Sequence, residues 1–221
     1  MNYKGIPYKT EWVEYVDIEK VLKKNGVPPA TTDENAPFKY TLPAILDTST
    51  GVGASESFRI AEYLDKTYPD TPKVLPLGTE AFQIAWIDAL KPHLNAMWQF
   101  TLPGTLDIID HPASNEYFYR TRTAMFGDIK KMKPEGAARE AGLKDLQKDL
   151  DELDQKLVKS GGPYVMGKTV SFADFALAGW LKWLKFSIGG KDTKEWQLIV
   201  SWNEGRWGKR LEALEKYDNP Q

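Results

Sequence analysis

The chain has 221 residues and a formal net charge of −2, from 29 basic and 31 acidic side chains. A chain of this length can bury roughly 70% of its unfolded surface, which suits one large domain or two smaller ones. The balanced charge favours neither nucleic acid nor an anionic membrane as a partner, and no segment approaches the ~18 apolar residues of a membrane span. Cysteine is absent, which excludes disulfides, thiolate-bound zinc and cysteine nucleophiles and fits a reducing, cytoplasmic setting.

The front of the chain predicts a small strand-and-helix unit. Residues 11–15 alternate roughly as a strand does, with Trp12 and Val13 as the apolar content. Asp17 is a suitable N-cap for a short helix over residues 18–24, which Asn25 and Gly26 end. A loop rich in proline and small polar residues follows.

The stretch from Tyr40 to Asp47 is an apolar strand that carries a proline, which a central strand would not tolerate. A cis Leu42–Pro43 bond at the start of the strand would expose the backbone of Leu42 to a ligand, although only about 5–6% of such bonds are cis. A turn and a second strand then lead to Glu56 and Ser57, which open a helix over residues 57–68. The amides at such a helix start favour an anion.

Three prolines over residues 69–78 predict a linker between a first domain (residues 1–68) and an all-helical domain (residues 79–221). Apolar residues spaced by three and four predict a long helix kinked at Pro92 and two further helices. These two helices are centred on the segments 118–129 and 143–157.

Ser171 and Asp174 form a capping pair in front of an apolar run, with Val170 and Phe175 at the two staple positions. This coincidence of signals predicts a helix start at Ser171. A short helix over residues 196–200 and an amphipathic last helix over residues 202–217 complete the predicted α+β fold.

A small strand–helix unit, a proline-rich linker and an all-helical body resemble the soluble glutathione transferases. The motifs that carry the resemblance are Leu42-Pro43, Glu56-Ser57 and Ser171-x-x-Asp174. Residues 2–8 and 11–15 are similar to the fungal etherase-related FuA class, which itself resembles bacterial β-etherases. The resemblance implies an N-terminal thioredoxin-like domain, truncated at its front, followed by an all-α C-terminal domain.

The resemblance also implies glutathione as the co-substrate. Leu42 would pair with it through the main chain beside a cis Pro43, and Ser57 would hold the α-carboxylate of the γ-glutamyl end. Glu56 would pair with the α-ammonium, and Lys39 would meet the glycyl carboxylate. The alternative for Glu56 and Ser57 is plain capping of the helix N-terminus.

An electrophile site between the domains is implied by the same resemblance, and aromatic walls suit a small aromatic or phenolic ligand. For each of the six residues named next, the alternative is that its side chain simply packs in the core. The candidates are Met97, Trp98, Phe100, Phe118, Trp180 and Trp183.

The family's catalytic position has no match in this chain. Residues 1–5 align with the end of the family's first helix, so the catalytic serine expected of the etherase-like class would lie upstream of residue 1. Three explanations stay open: a lost N-terminal segment, a substitute supplied by a second copy in a homodimer, or a rebuilt domain without catalysis.

Two functions follow, a glutathione transferase and a non-catalytic ligandin that stores aromatic polyphenols. A regulatory relative of the prion-forming nitrogen regulators has no specific support in the sequence. His93 and His111 lie on different predicted elements, so solvated or capping roles are expected rather than a metal site.

Overall fold

The computed structural model describes residues 1–218, which divide into two compact units. The first unit is Met1–Leu75 and the second begins at Pro76. The division falls within residues 69–78. Nowhere in residues 1–218 is there a helix with the length and apolar content needed to cross a membrane.

The N-terminal unit combines a two-stranded sheet with two α-helices. Strands β1 (Ala44–Asp47) and β2 (Val52–Ser55) are antiparallel, with Ala44 opposite Ser55 and Asp47 opposite Val52. The same end of this sheet therefore carries Pro43 and Glu56, the residues that adjoin the first pair. The elements are the 3-10 helices Asn2–Lys4 and Tyr15–Asp17, α1 (Ile18–Lys24), β1 (Ala44–Asp47), β2 (Val52–Ser55) and α2 (Ser57–Thr67).

The strand predicted over residues 11–15 is wrong. Residues 11–14 are irregular and lead into the 3-10 helix Tyr15–Asp17, while Trp12 is 91% exposed. A strand needs a neighbour for its amide and carbonyl groups, and within residues 1–218 β1 and β2 pair only with each other. Alternating apolar and polar residues can therefore suggest a strand where no neighbouring strand is present to pair with it.

A buried ion pair holds the start of the N-terminal unit. The side chain of Lys4 is 0% exposed and its ammonium lies 2.5 Å from the Asp65 carboxylate. The ammonium also donates to the carbonyl of Pro72 at 3.0 Å. Asp65 accepts in addition from the amides of Val74 (3.1 Å) and Leu75 (2.8 Å), so one polar cluster joins three separate segments.

A second polar cluster fixes the turn between β1 and β2. The Asp47 carboxylate accepts hydrogen bonds from the hydroxyls of Tyr68 (2.6 Å) and Tyr63 (2.7 Å). Ser49 donates to the same carboxylate through its hydroxyl (2.7 Å) and its amide (2.9 Å). The bond from Tyr68, followed by those from Tyr63 and Ser49, holds the pKa of Asp47 well below its usual range.

Removing both tyrosine hydroxyls, as Tyr63→Phe with Tyr68→Phe, should raise the pKa of Asp47 toward its ordinary value of about 3.9. A carboxyl whose pKa is lowered in the folded state stabilises the fold above its unfolded pKa, and this stabilisation is lost as the pH falls through the folded pKa. The double variant should therefore lose less stability on acidification below about pH 4. A carbon-13 NMR titration of the carboxyl measures the pKa directly.

The matched control is Tyr164→Phe, whose hydroxyl lies in the helical unit and donates to the carbonyl of Ala213 at 3.4 Å. It should leave the titration of Asp47 unchanged. An unshifted pKa in the double variant would show that the tyrosines do not stabilise the carboxylate.

The second unit is helical apart from short bridges and turns. Its core packs leucines of α6 (Gly136–Leu157) and α7 (Phe172–Ser187) with Trp207 of the last helix, and Leu90, Leu94 and Met97 complete it. The elements are α3 (Glu80–Leu90), the 3-10 helix Lys91–Met97, α4 (Trp98–Ile108), α5 (Pro112–Phe126), α6 (Gly136–Leu157), the 3-10 helix Val158–Ser160, α7 (Phe172–Ser187) and α8 (Lys194–Glu215).

Two predicted features of this unit are confirmed. The helix after the linker is interrupted at Pro92 by a 3-10 segment, because proline has no amide hydrogen to donate. A capping box starts α7, where the Asp174 carboxylate accepts from the amide of Ser171 at 2.9 Å and from its hydroxyl at 3.0 Å. Asp174 also accepts from the amide of Val165 at 2.7 Å, which ties the preceding loop to the helix start.

Helix α8 contains a sharp bend where the sequence predicted a boundary between two helices. Trp202 leaves the helical conformation, and Asn203 (φ 53°), Glu204 (φ 62°) and Gly205 (φ 75°) are left-handed. Asn203 stabilises the bend by donating to Asp151 at 2.6 Å and accepting from the indole of Trp207 at 2.7 Å. Asparagine is one of the few residues that adopt this conformation readily.

Candidate functional site

Glu56 is the N-cap of α2 and has an unusual backbone. Its φ of 74° and ψ of 124° lie in a region that non-glycine residues rarely adopt, at a cost on the order of 1–3 kcal/mol. Its carboxylate accepts from the amides of Phe58 and Arg59, both at 3.1 Å. The capping role that the sequence left open for Glu56 is therefore present.

Ser57 follows as the first residue of α2 and is exposed. Its hydroxyl donates to the Glu56 carboxylate at 3.3 Å, a long hydrogen bond. Because a hydroxyl can rotate, Ser57 can turn its hydrogen away from Glu56 and donate it to an incoming anion. The helix start adds a partial positive charge at the same place.

The segment before β1 lies at the same end of the sheet. The Leu42–Pro43 peptide bond is cis, as predicted, and Leu42 is 45% exposed. The side chain of Lys39 is exposed, while its carbonyl accepts from the amide of Ala30 at 2.7 Å. The five residues predicted to contact glutathione thus belong to one unit, and Leu42, Pro43, Glu56 and Ser57 lie at one end of its sheet.

Three of the six candidate electrophile-site residues form one aromatic cluster in the helical unit. Trp98 meets the edges of Trp180 and Trp183 at centroid distances of 5.5 and 5.7 Å. Phe126 stacks on Trp98 at 5.4 Å and is 40% exposed. The indole of Trp183 donates to the hydroxyl of Thr105 at 2.8 Å, which orients the ring.

The other three candidates lie in the interior. Met97 and Phe100 are 1% and 3% exposed and belong to the main hydrophobic core. Phe118 is 3% exposed, and the guanidinium of Arg122 lies 4.7 Å from its ring centre. Phe126 lies in the helix predicted around residues 118–129 and was not assigned to a site, because helical spacing does not show that its ring stacks on Trp98.

His93 and His111 each contact neighbouring groups in the helical unit. His93 accepts from the ammonium of Lys156 at 2.6 Å through Nε2, and its Nδ1 lies 3.8 Å from the Glu152 carboxylate. His111 caps α5 by accepting from the amide of Ser114 at 3.2 Å, which is the capping role predicted for it. In residues 1–218 no cluster of three or more His, Asp or Glu side chains is arranged to hold a metal ion.

Comparisons with known proteins agree on one family. The family described as "Glutathione S-transferase, C-terminal domain" matches residues 81–217. The glutathione S-transferase-like protein ustS of Aspergillus flavus is 30% identical over 93% of this chain and 82% of its own length.

Solved structures of fungal transferases are similar along nearly the whole chain. CsGST63524 of Ceriporiopsis subvermispora, crystallised with glutathione, is 38% identical with a TM-score of 0.90, covering 99% of this chain and 87% of its own. GSTFuA3 of Phanerochaete chrysosporium is 35% identical with a TM-score of 0.88, covering 99% of this chain and 86% of its own.

Proposed function

Since the chain belongs to the glutathione S-transferase family, we propose that it binds glutathione on its N-terminal unit and directs the thiol to aromatic or phenolic electrophiles. The observation that carries the proposal is the backbone of Glu56, strained at φ 74° directly before an exposed Ser57. Strained backbone persists where the surrounding structure over-determines it and is concentrated at ligand sites. Here it presents a carboxylate and a helix start side by side.

The two charges at the γ-glutamyl end of glutathione match these groups. The α-carboxylate would accept from the Ser57 hydroxyl at the positive end of α2, and the α-ammonium would donate to the Glu56 carboxylate. The backbone of Leu42, a residue that is 45% exposed and precedes Pro43, would pair with the main chain of the cysteinyl residue. Lys39 would meet the glycyl carboxylate.

The aromatic cluster would supply a surface for the second substrate. Trp98, Trp180 and Trp183 with Phe126 offer ring faces and edges on which a phenolic ring can stack. Most of the rate gain of such a thiol transfer would come from positioning of the reactants and electrostatic stabilisation of the thiolate. An etherase-like activity would use a serine for the thiolate, and no catalytic residue is assigned within residues 1–218.

A ligandin is the second candidate, because Trp98, Trp180 and Trp183 form an assembled aromatic surface within the helical unit. Turnover of a chromogenic electrophile with glutathione, beside calorimetric binding of a polyphenol, separates the two functions. Turnover that requires glutathione supports the enzyme. Polyphenol binding without turnover and without glutathione affinity supports the ligandin. In either case we propose a cytoplasmic homodimer, with sedimentation equilibrium as the test.

Ser57→Ala should raise the dissociation constant of glutathione by about ten- to a hundredfold, because a hydrogen bond to a charged group is worth about 1.5–3 kcal/mol. Isothermal titration calorimetry measures the change. Thr48→Ala is the matched control, since it removes an exposed hydroxyl from the turn at the opposite end of the sheet. Equal affinities for both variants and the unaltered protein would remove Ser57 from the site.

A further inference from the structure

Ser55 is a buried polar residue with no role in either proposed substrate site. It is the last residue of β2, directly before Glu56, and is 3% exposed. Its hydroxyl donates to the carbonyl of Pro28 at 2.7 Å, across 27 positions of the chain. The bond therefore ties a distant loop to the end of the sheet that carries Glu56 and Ser57.

The residue before that carbonyl packs closely on the same face of β2. Gly53 lies two residues before Ser55, so both positions face the same side of the strand. A Cβ added at Gly53 would lie 2.9 Å from the Cα of Val27, which is closer than real Cβ atoms come. Val27 itself is 5% exposed. The close approach at Gly53 and the hydrogen bond from Ser55 together hold residues 27–28 against β2.

A further hydrogen bond closes a loop that begins at Ala30 and ends at Lys39. The amide of Ala30 donates to the carbonyl of Lys39 at 2.7 Å. Inside the loop, the Asp33 carboxylate accepts from the amide of Asn35 at 2.9 Å, so the loop has internal structure as well. The backbone of Lys39 is therefore held by residues 27–30, while its side chain is exposed.

We propose that Ser55 is a positioning residue for glutathione and acts through Lys39. The Ser55 hydroxyl fixes Pro28, and Ala30 follows two residues later. The Ala30 amide then holds the carbonyl of Lys39, three residues before Leu42. Because the backbone of Lys39 is fixed, less conformational freedom is lost when its ammonium meets the glycyl carboxylate. This role rests on the proposed function, in which Lys39 makes that contact.

Titration calorimetry with glutathione and with γ-glutamylcysteine, which lacks the glycyl residue, tests the proposal. The ratio of the two dissociation constants isolates the contribution of the glycyl end. The unaltered protein should bind glutathione about fivefold more tightly than γ-glutamylcysteine, the upper value for an exposed ion pair. Lys39→Gln should bring this ratio close to one.

Ser55→Ala should lower the ratio about twofold or more, as expected when a side chain must be ordered on binding. It should do so by weakening glutathione alone, with the affinity for γ-glutamylcysteine unchanged. In the Lys39→Gln background, Ser55→Ala should change the ratio no further, because the residue through which it acts is gone. Gly53→Ala should resemble Ser55→Ala, because its methyl group pushes Val27 away from β2.

Amide hydrogen exchange measures the position of the loop directly. Ser55→Ala should speed exchange at the Ala30 amide, because the loop is no longer held on β2, while the amides of α2 keep their protection. Ser55→Thr keeps the hydroxyl and should restore both the exchange rate and the ratio. Thr101→Val is the matched control, since it removes a buried hydroxyl that donates to the carbonyl of Met97 at 3.0 Å in the helical unit. It should change neither measurement.

An unchanged ratio in Ser55→Ala, or unchanged exchange at Ala30, would overturn the positioning role while glutathione still binds. Equal losses of affinity for both ligands would also overturn it, because they would show a general structural role for Ser55. A ratio of one in the unaltered protein would remove Lys39 from the site and leave Glu56 and Ser57 in place. If the unaltered protein binds neither ligand, the proposed function fails and the positioning role fails with it.

Discussion

Replacing Lys4 by Met should lower the free energy of unfolding of the N-terminal unit by about 3–5 kcal/mol. The Lys4 side chain is 0% exposed and that of Asp65 is 9% exposed, so the substitution leaves a carboxylate in the interior without its cation. The carbonyl of Pro72 loses a donor as well. Hydrogen exchange of the α2 amides, followed in urea, measures this unit separately from the helical one.

The exposed pair of Lys23 with Glu19 provides the control. These side chains are 57% and 63% exposed, so Lys23→Met should cost no more than about 1 kcal/mol. If the two substitutions destabilise the unit equally, the buried pair does not hold the front of the chain. Asp65→Asn should fall between them, because it keeps an acceptor for the amides of Val74 and Leu75.

Trp207→Ala should lower the free energy of unfolding of the helical unit by about 3–5 kcal/mol. Trp207 is 0% exposed, and its indole donates to Asn203 inside the left-handed bend of α8. The substitution therefore leaves a cavity in the core and removes one of the two hydrogen bonds of the Asn203 amide. Urea unfolding followed by circular dichroism measures the change.

Two other substitutions serve as controls, and both should destabilise the protein less than Trp207→Ala. Trp207→Phe retains most of the apolar volume and should cost less than Trp207→Ala. Trp12→Ala removes a tryptophan that is 91% exposed, and it should stay within about 0.5 kcal/mol of the unaltered protein. Similar losses for Trp207→Ala and Trp12→Ala would contradict the assigned packing of the core.

The α+β class, with a thioredoxin-like N-terminal domain and an all-α C-terminal domain, could be predicted from the sequence and is confirmed. The resemblance to glutathione transferases implied the thioredoxin-like domain, and local signals predicted the linker and the helical body. The capping pair of Ser171 and Asp174, the prolines and the helical spacing each act within a few residues of chain, so a single sequence contains them.

Features that depend on distant partners could not be predicted. Residues 11–15 had the alternation of a strand but not the neighbour that a strand requires. The left-handed bend at residues 203–205 depends on Asp151 and Trp207, which the local sequence does not identify as partners.

The candidate site also combines features that the sequence predicted with features that it did not. Leu42, Pro43, Glu56 and Ser57 were identified as motifs, and the register of β1 and β2 brings them to one end of the sheet. Capping of α2 by Glu56 was the alternative that the sequence left open, but the strained backbone from which it caps was not predicted. Among the aromatic residues, helical spacing alone could not separate the clustered Trp98 from the buried Phe100 two positions later.

Calorimetric titration of the unaltered protein with glutathione and with cysteinylglycine tests the proposed function most directly. Cysteinylglycine lacks the γ-glutamyl group that Glu56 and Ser57 are proposed to hold. The proposal predicts one glutathione per chain and an affinity at least about tenfold higher than for cysteinylglycine, or about 1.4 kcal/mol. Equal affinities, or no binding of glutathione at millimolar concentration, would contradict it.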